Sequence, residues 1–248
     1  PLYAGRETHE DSAPVQALRL AGAVVIGKTV TTELGFSHPG PTTNPFDPAR
    51  TPGGSSSGSA AAIGAGMVPA TLGSQVVGSI IRPAGFCANT AIKPTLSALN
   101  RGERQGMSQS HLGVHAGCIE DMWAVAAAIA SFVGGDPGHP GLTGPATPPA
   151  PIRPRRLIVL ETEGWVDTGD ATKAAFQELV DRLIAEGIEI QGRAGNAEVD
   201  AFEREIDNSL ELARDICGWE MRWTLRNLAE KDLSKMSDSL RARLELAE

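Results

Sequence analysis

The sequence contains little cysteine, few aromatic residues and no excess of basic residues. Its three cysteines, Cys87, Cys118 and Cys217, are scattered and odd in number, which argues against a disulfide framework and for a reducing compartment. A net charge of −8 leaves no basic stripe for phosphate groups, so nucleic acid is not an expected partner. No apolar run is long enough to cross a bilayer, and we expect no signal peptide. These absences predict a cytoplasmic protein with no nucleic-acid or membrane partner.

Glycine (28) and proline (17) are abundant instead, in a chain of 248 residues of which 41% are hydrophobic and 21% charged. This composition is ordinary for a globular protein, and the length allows one large domain or two small ones. The chain starts at Pro1 without a methionine and ends inside a helical pattern at Glu248. We therefore expect a partial domain that belongs to a longer protein.

Alternating helix and strand patterns predict an α/β fold with a mixed central sheet flanked by helices. A connector rich in proline and glycine is predicted over residues 134–155, after core motifs at 22–135 and before a helical and α/β extension at 156–248. The predicted helices cover residues 11–21, 57–66, 119–132, 170–186 and, as one helix or two, 199–230. The predicted strands cover residues 23–26, 71–73, 157–160 and 188–190, with a turn over 73–82.

Helical spacing assigns several apolar side chains to packed faces. Trp219 and Trp223, at i and i+4, are interpreted as core packing rather than as a ligand platform. Trp123, Ala127 and Ala130 share one face of the helix predicted over 119–132. The apolar stripe predicted for the helix over 170–186 consists of Phe176, Leu179, Val180, Leu183 and Ile184.

Two short patterns match known motifs, but their context argues against both. Residues 22–29, Gly-Ala-Val-Val-Ile-Gly-Lys-Thr, match a phosphate loop, yet their middle is strand-like and weak helix formers follow. Residues 54–58, Gly-Ser-Ser-Ser-Gly, match the nucleophile elbow of α/β-hydrolases with Ser56 as nucleophile. The prolines at 48 and 52 exclude the central strand that must precede such an elbow.

The five histidines are not predicted to form a catalytic or metal site. His111 and His115 stand at helical spacing, but Gly113 and Gly117 oppose a helix there, and no carboxylate stands at metal-binding spacing. We expect surface or supporting positions for all five, namely His9, His38, His111, His115 and His139.

Two blocks rich in serine and glycine are the most informative feature of the chain. The first block is residues 53–62, Gly-Gly-Ser-Ser-Ser-Gly-Ser-Ala-Ala-Ala, and the second is residues 73–84, Gly-Ser-Gln-Val-Val-Gly-Ser-Ile-Ile-Arg-Pro-Ala. The apolar residues 67–72 between them oppose a flexible linker. Acyl transfer needs a hydroxyl nucleophile, a base for its proton and N–H donors for the oxyanion. The blocks supply hydroxyl and N–H groups together and predict a folded site for this chemistry.

The two blocks and several shorter segments, in this order, resemble the amidase signature family. Members hydrolyse carboxamide C–N bonds through a Ser–cis-Ser–Lys triad, with no histidine and no metal. The resemblance therefore implies an amidase-signature fold and a hydrolase that acts on a small-molecule amide without a cofactor. It runs from about Gly22 to Gly135 and includes Gly27-Lys28, Glu33, Asn44-Pro45, Phe86-Cys87, Lys93-Pro94-Thr95 and the helix start Glu120-Asp121.

By motif matching, the resemblance also implies a role for each serine. Ser79, directly before Ile-Ile-Arg, corresponds to the nucleophile that forms the acyl-enzyme. Ser55 corresponds to the bridging serine, which relays a proton and follows a cis peptide bond in the family. The oxyanion hole corresponds to the backbone N–H groups of Val76, Val77, Gly78 and Ser79, with support from Arg82, Ser56 and Gln75.

The sequence departs from the family pattern in two places. The family's catalytic lysine would lie before Pro1, and the part that closes the substrate pocket would lie after Glu248. Val77 replaces a glycine, and because a β-branched residue cannot take a positive φ without strain, an altered oxyanion turn and a narrower acyl pocket are expected. The lysines of this chain, none of which matches the family's position, are Lys28, Lys93, Lys173, Lys231 and Lys235.

The sequence thus predicts an amidase whose catalytic lysine lies outside this chain. One alternative is a non-catalytic or degenerate amidase fragment. A second is the glutamine-hydrolysing subunit of a tRNA-dependent amidotransferase, which works in a complex and which the Gln75-Val76-Val77 departure disfavours. The sequence determines neither the substrate nor the oligomeric state, for which a homodimer is one option.

Overall fold

A computed structural model describes residue 5, residues 7–102 and residues 106–247. The helices in these ranges are α1 (Ala13–Leu20), α2 (Ser57–Gly64), α3 (Ile81–Phe86), α4 (Ile119–Val133), α5 (Asp170–Ala185), α6 (Ala197–Glu205), α7 (Ser209–Asp232) and α8 (Asp238–Ala247). The strands are β1 (Ala70–Gln75), β2 (Thr90–Ile92), β3 (His111–Ala116), β4 (Arg156–Ile158) and β5 (Glu189–Gln191). The α/β class predicted from the sequence is confirmed.

The chain divides into two compact units. Unit 1 consists of residues 1–149 and 213–248, and unit 2 of residues 150–212. The boundary after Pro149 falls inside the connector predicted over 134–155. The return of residues 213–248 to unit 1 was not visible in the sequence, because the periodicity of a helix does not tell which unit its apolar face joins.

The sheet of unit 1 is antiparallel, with the strand order β1-β3-β2. The register pairs Ala70 with Ala116 and Gln75 with His111 across β1 and β3. Since side chains alternate along a strand, Val114 and Ala116 point to one face of β3 and His115 to the other. Helix α4 covers the first face, where it completes a core of Leu99, Val114, Ala116, Met122, Ala126 and Ile129.

Helices α7 and α8 form a second core in unit 1, from Met221, Leu225, Leu228, Met236 and Leu240. Leu34 and Phe36 pack against this core. At the start of α8, the Ser237 backbone N–H donates to Glu33 Oε1 over 3.2 Å, and the Ser237 hydroxyl donates to Glu33 Oε2. The loop around residues 33–36 is thereby attached to the C-terminal helices.

Unit 2 contains the parallel pair β4 and β5, in which Leu157 lies opposite Ile190. Helix α5 joins the two strands along the chain and packs against β5. The apolar stripe predicted for α5 is only partly buried. Val180 is buried, whereas Phe176, Leu179 and Ile184 are exposed, because this two-stranded sheet covers only a small part of the helix.

The pattern over 199–230 forms two helices, α6 and α7, and the chain turns between them at Asn208, whose φ is +63°. The prediction that Trp219 and Trp223 pack in the core is wrong, since they are 66% and 69% exposed. The buried face of α7 is formed instead by Cys217, Met221, Leu225 and Leu228, and the two tryptophans lie on another face. The Arg222 guanidinium stacks 3.5 Å from the centre of the Trp219 ring.

The buried strand predicted over 23–26 is also wrong. These residues form no strand with any described part of the chain, and Val24 and Ile26 are 85% and 76% exposed. Apolar β-branched residues favour an extended backbone, but a strand also needs a neighbour whose N–H and C=O groups pair with its own.

No helix in the described ranges is long and apolar enough to cross a membrane.

Candidate functional site

The two serine blocks lie in contact in unit 1. The Ser56 backbone N–H donates to the Ser79 carbonyl over 3.2 Å. The Arg82 guanidinium donates from Nε and Nη2 to the Gly54 carbonyl, over 3.1 and 2.9 Å. Arg82, which extends from the second block, therefore braces the first block through a backbone carbonyl.

The first block is a loop that leads into α2. The Gly54–Ser55 peptide bond is cis, the geometry that the resemblance implies at this position. Gly53 has a φ of +79°, and a Cβ there would lie 2.9 Å from the Pro83 Cα, so only glycine fits. Ser55, Ser56 and Ser57 are all buried. No strand precedes Gly54, which agrees with the rejection of a nucleophile elbow.

The second block runs from β1 through a turn into α3. Gln75, the last residue of β1, accepts with Oε1 from the backbone N–H groups of Ile80 and Ile81, over 2.7 and 2.9 Å. Its Nε2 donates to the Val77 carbonyl over 3.2 Å. A single buried side chain thus holds both the start of α3 and the turn that carries Ser79.

The backbone N–H groups of Val76, Val77, Gly78 and Ser79 have no acceptor among the described residues. Backbone N–H groups without an acceptor, next to a serine hydroxyl, are donors of the kind that stabilises an oxyanion. Val77 does not have a positive φ, so the strain considered from the sequence does not arise. Its side chain is 47% exposed beside the turn.

The segment around residue 32 borders Ser55. The Thr32 backbone N–H donates to the Ser55 carbonyl over 3.1 Å. A Cβ on Gly35 would lie 3.9 Å from Ser55 Oγ, so the loop attached to α8 borders this hydroxyl. Within the described ranges, neither the Ser55 nor the Ser79 hydroxyl makes a hydrogen bond. Both hydroxyls are therefore available to bind other groups.

None of the five lysines, all of which are described, hydrogen-bonds to a serine of the two blocks. Lys93 Nζ donates to the Pro94 carbonyl over 3.0 Å, and Lys28 is exposed in the extended segment before Thr29. No helix begins directly after Lys28, as a phosphate loop requires, which agrees with the rejection of that motif. The structure therefore brings together the serines, Gln75, Arg82 and the N–H groups, without a lysine.

His115 is fully buried in β3, so of the two positions predicted for it only the supporting one remains. Burial lowers the pKa of His115 from 6.5 to about 4. The alternating pattern of residues 111–116 indicates a strand, in which His115 lies on the face opposite Val114, so the sequence contained a sign of this position. Within the described ranges, no group of three His, Cys, Asp or Glu side chains is placed to hold a metal ion.

Several known proteins are similar to this chain. A family model described as Amidase matches residues 1–210. AtzE of Pseudomonas sp. (strain ADP), described as a 1-carboxybiuret hydrolase subunit, is 37% identical over 179 residues, which are 66% of this chain and 38% of AtzE. A glutamyl-tRNA(Gln) amidotransferase subunit of Chloroflexus aurantiacus is 36% identical over 201 residues, which are 73% of this chain and 40% of that protein.

Two solved structures share the fold over 98% of this chain. One, described as an amidase, has a TM-score of 0.79 at 23% identity, and the match covers 52% of it. The other, from a vestigial protein complex that reveals the origins of an s-triazine catabolic enzyme, has a TM-score of 0.72 at 28% identity, and the match covers 53% of it. The chain thus spans about half of these structures and about two fifths of the curated relatives.

Proposed function

The chain belongs to the amidase signature family, and from this we propose that it carries the nucleophilic and the relay serine of an enzyme that hydrolyses a carboxamide C–N bond. The supporting observation is the hydrogen bond from Ser56 N–H to the Ser79 carbonyl. It holds the buried Ser55 and Ser56 against Ser79, which follows three open N–H groups and carries a fourth. A poor nucleophile such as a serine hydroxyl becomes effective only where a proton acceptor and an oxyanion site lie close to it.

In the proposed reaction, Ser79 Oγ attacks the amide carbon, and its proton passes to Ser55 Oγ as Ser55 gives its own proton to a base. The former carbonyl oxygen, now negative, accepts hydrogen bonds from the N–H groups of residues 76–79. The C–N bond then breaks, the leaving nitrogen takes a proton back through Ser55, and Ser79 remains as an ester. Water hydrolyses this ester and releases the carboxylic acid.

Ser55 suits the relay because a hydroxyl both donates and accepts a proton. Arg82 and Gln75 support the reaction by holding the Gly54 carbonyl and the turn in place. We propose that the base is a lysine outside residues 1–248, since no lysine of this chain hydrogen-bonds to a serine of the two blocks. Residues 1–248 alone are then expected to show at most weak turnover.

Labelling with a fluorophosphonate probe tests the role of Ser79. In the full-length protein, which contains the proposed lysine, we expect Ser79 to be labelled and the Ser79→Ala variant to lose the label, since only an activated serine reacts with the probe. The exposed Ser74, in the same block, provides the matched control Ser74→Ala, which should be labelled like the wild type. Label retained by Ser79→Ala would remove this serine from the role of nucleophile.

A panel of aliphatic, aromatic and ureido amides, assayed for release of the amine or ammonia, addresses the substrate. The ureido arm is included because AtzE, at 37% identity, is named for the hydrolysis of 1-carboxybiuret. The exposed Val77 beside the turn favours acyl groups that tolerate an apolar contact. If Ser79 is labelled but no amide of the panel is hydrolysed, the serine is activated and its substrate lies outside the panel.

A second candidate function is a glutamine-hydrolysing role within a tRNA-dependent amidotransferase. The observation in its favour is the 36% identity with the glutamyl-tRNA(Gln) amidotransferase protein of Chloroflexus aurantiacus. This candidate requires co-purification with partner subunits and ammonia release from glutamine that depends on tRNA. A non-catalytic relative, the third option, requires that Ser79 stay unlabelled in every context.

A further inference from the structure

His115 stands out because it is a buried, titratable side chain that the proposed reaction does not use. It is 0% exposed, and neither Nδ1 nor Nε2 has a hydrogen-bond partner among the described residues. An unpaired polar group in a protein interior costs free energy comparable to a lost hydrogen bond, so such a group is usually functional or paired. The surroundings of the ring indicate which group pairs with it.

Gly73 brings the ring of His115 next to the first serine block. A Cβ built on Gly73 would lie 2.9 Å from His115 Nε2 and 2.8 Å from Ser56 Oγ. Because glycine has no side chain, the imidazole and the hydroxyl border the same small space above the β1 backbone. The present acceptor of the Ser56 hydroxyl is the Ser74 carbonyl, at 3.4 Å, which is near the limit of a hydrogen bond. A rotation of the Ser56 side chain would therefore bring its hydroxyl to a better acceptor.

The imidazole is suited to be that acceptor. Its lowered pKa, about 4, keeps it neutral at neutral pH, and a neutral imidazole has one N–H and one bare nitrogen. The elements that pack most against β3 are β1, β2, α2 and α4. Among them only α4 carries ionisable side chains, Glu120 and Asp121, and both are exposed. No charged group opposes the neutral form of the ring.

We propose that His115 is a positioning residue for Ser55 and Ser79. In this role, its Nε2 accepts a hydrogen bond from the Ser56 hydroxyl. Ser56 directly follows Ser55 in the chain, and its N–H holds the Ser79 carbonyl. A fixed Ser56 therefore sets the distance between the proposed relay and the proposed nucleophile. The role in acyl transfer rests on the proposed function, whereas the hydrogen bond itself does not.

The first test is nuclear magnetic resonance of ¹⁵N-histidine-labelled protein, which needs no activity. We expect His115 in the Nδ1–H tautomer, with an Nε2 resonance that moves when Ser56 is replaced by alanine. The exposed His139 supplies an internal reference whose resonances should not move. An Nε2 resonance unchanged by Ser56→Ala, or an Nε2–H tautomer, overturns the inference.

The second test is the rate at which a fluorophosphonate labels Ser79. We expect His115→Leu and Ser56→Ala each to slow labelling about five- to tenfold, as for loss of one hydrogen bond, and the double variant to be no slower than either. His115→Gln, which keeps an acceptor oxygen, should recover part of the rate, and His139→Gln should label like the wild type. Losses that multiply in the double variant would mean that the two residues act separately and would overturn the inference.

The two tests separate this inference from the proposed function. Absence of labelling in the wild-type protein counts against the proposed function and leaves the resonance test to decide the hydrogen bond. If His115→Leu fails to fold, Ser56→Ala and His115→Gln still decide the labelling test.

Discussion

At the scale of single residues, the site depends on side chains that hold backbone rather than on charges. Arg82 and Gln75 bind backbone carbonyl and N–H groups, and glycines at 53 and 73 admit neighbours that a Cβ would displace. The buried Arg101–Asp136 ion pair, with Nε and Oδ2 2.6 Å apart, belongs to the loop after Asn100 and not to the serine blocks. The chemistry near Ser55 and Ser79 is therefore that of hydroxyl and N–H groups.

The buried His115 predicts a specific dependence of stability on pH. Its pKa is about 4 in the folded chain and 6.5 in the unfolded chain, so between these values the unfolded state binds more protons. The contribution of the neutral ring is complete above pH 6.5 and is lost as the pH falls towards 4. The expected loss of unfolding free energy is about 3 kcal/mol, which corresponds to the difference between a pKa of 6.5 and one of about 4.

Chemical denaturation at a series of pH values measures this effect. Since carboxylates also titrate below pH 5, the quantity of interest is the difference in unfolding free energy between the wild type and His115→Gln. We expect this difference to shrink as the pH falls from 7 to 4. His139→Gln should keep a constant difference from the wild type, and parallel curves for His115→Gln would contradict the assigned burial.

At the scale of secondary-structure elements, the start of α3 determines the geometry of the turn before it. Replacement of Gln75 by leucine leaves the Ile80 and Ile81 N–H groups without an acceptor, which should cost about 1–3 kcal/mol of unfolding free energy. The labelling of Ser79 should slow as well, because the Val77 carbonyl in the turn loses the hydrogen bond from Gln75 Nε2.

Gln75→Glu is the matched variant, because it keeps an acceptor oxygen for the Ile80 and Ile81 N–H groups, although its carboxylate adds a buried negative charge and cannot donate to the Val77 carbonyl. We expect it to recover part of the stability lost in Gln75→Leu, as measured by thermal unfolding. Equal losses in both variants would show that the cap on α3 is not what Gln75 contributes.

The elements also show what could be predicted from the sequence. Helices α2, α4 and α5 were predicted because the spacing of apolar and small residues within each segment is sufficient evidence for a helix. The strand over 23–26 was not correct, because strand formation depends on a neighbour elsewhere in the chain. The burial of His115 could not be predicted for a similar reason, since it depends on Gly73 and Ser56 across the fold. The order of the serine blocks predicted the family, whereas the contact between them required coordinates.

At the scale of the whole molecule, residues 23–26 form an exposed apolar segment outside the helices and strands. Their backbone pairs with no strand in the described ranges, and Val24 and Ile26 are exposed. Unpaired backbone groups beside exposed apolar side chains promote pairing between chains. We therefore expect concentration-dependent association of the protein, and Val24→Lys should reduce it.

Light scattering coupled to size-exclusion chromatography measures this association. Leu246→Lys is the matched control, because Leu246 is equally exposed but lies on α8, where no backbone groups are open along an edge. Val24→Lys should lower the apparent mass at high concentration, and Leu246→Lys should leave it unchanged. The same result in both variants would point to general hydrophobic attraction instead.

The bond between Glu33 and Ser237 joins positions that are 204 residues apart. During synthesis, the loop that borders Ser55 therefore lacks this anchor until Ser237 has left the ribosome. Both serine blocks emerge much earlier, so this part of their surroundings is completed after their own residues are made. In a growing chain, the assembly of the site is timed by the arrival of α8.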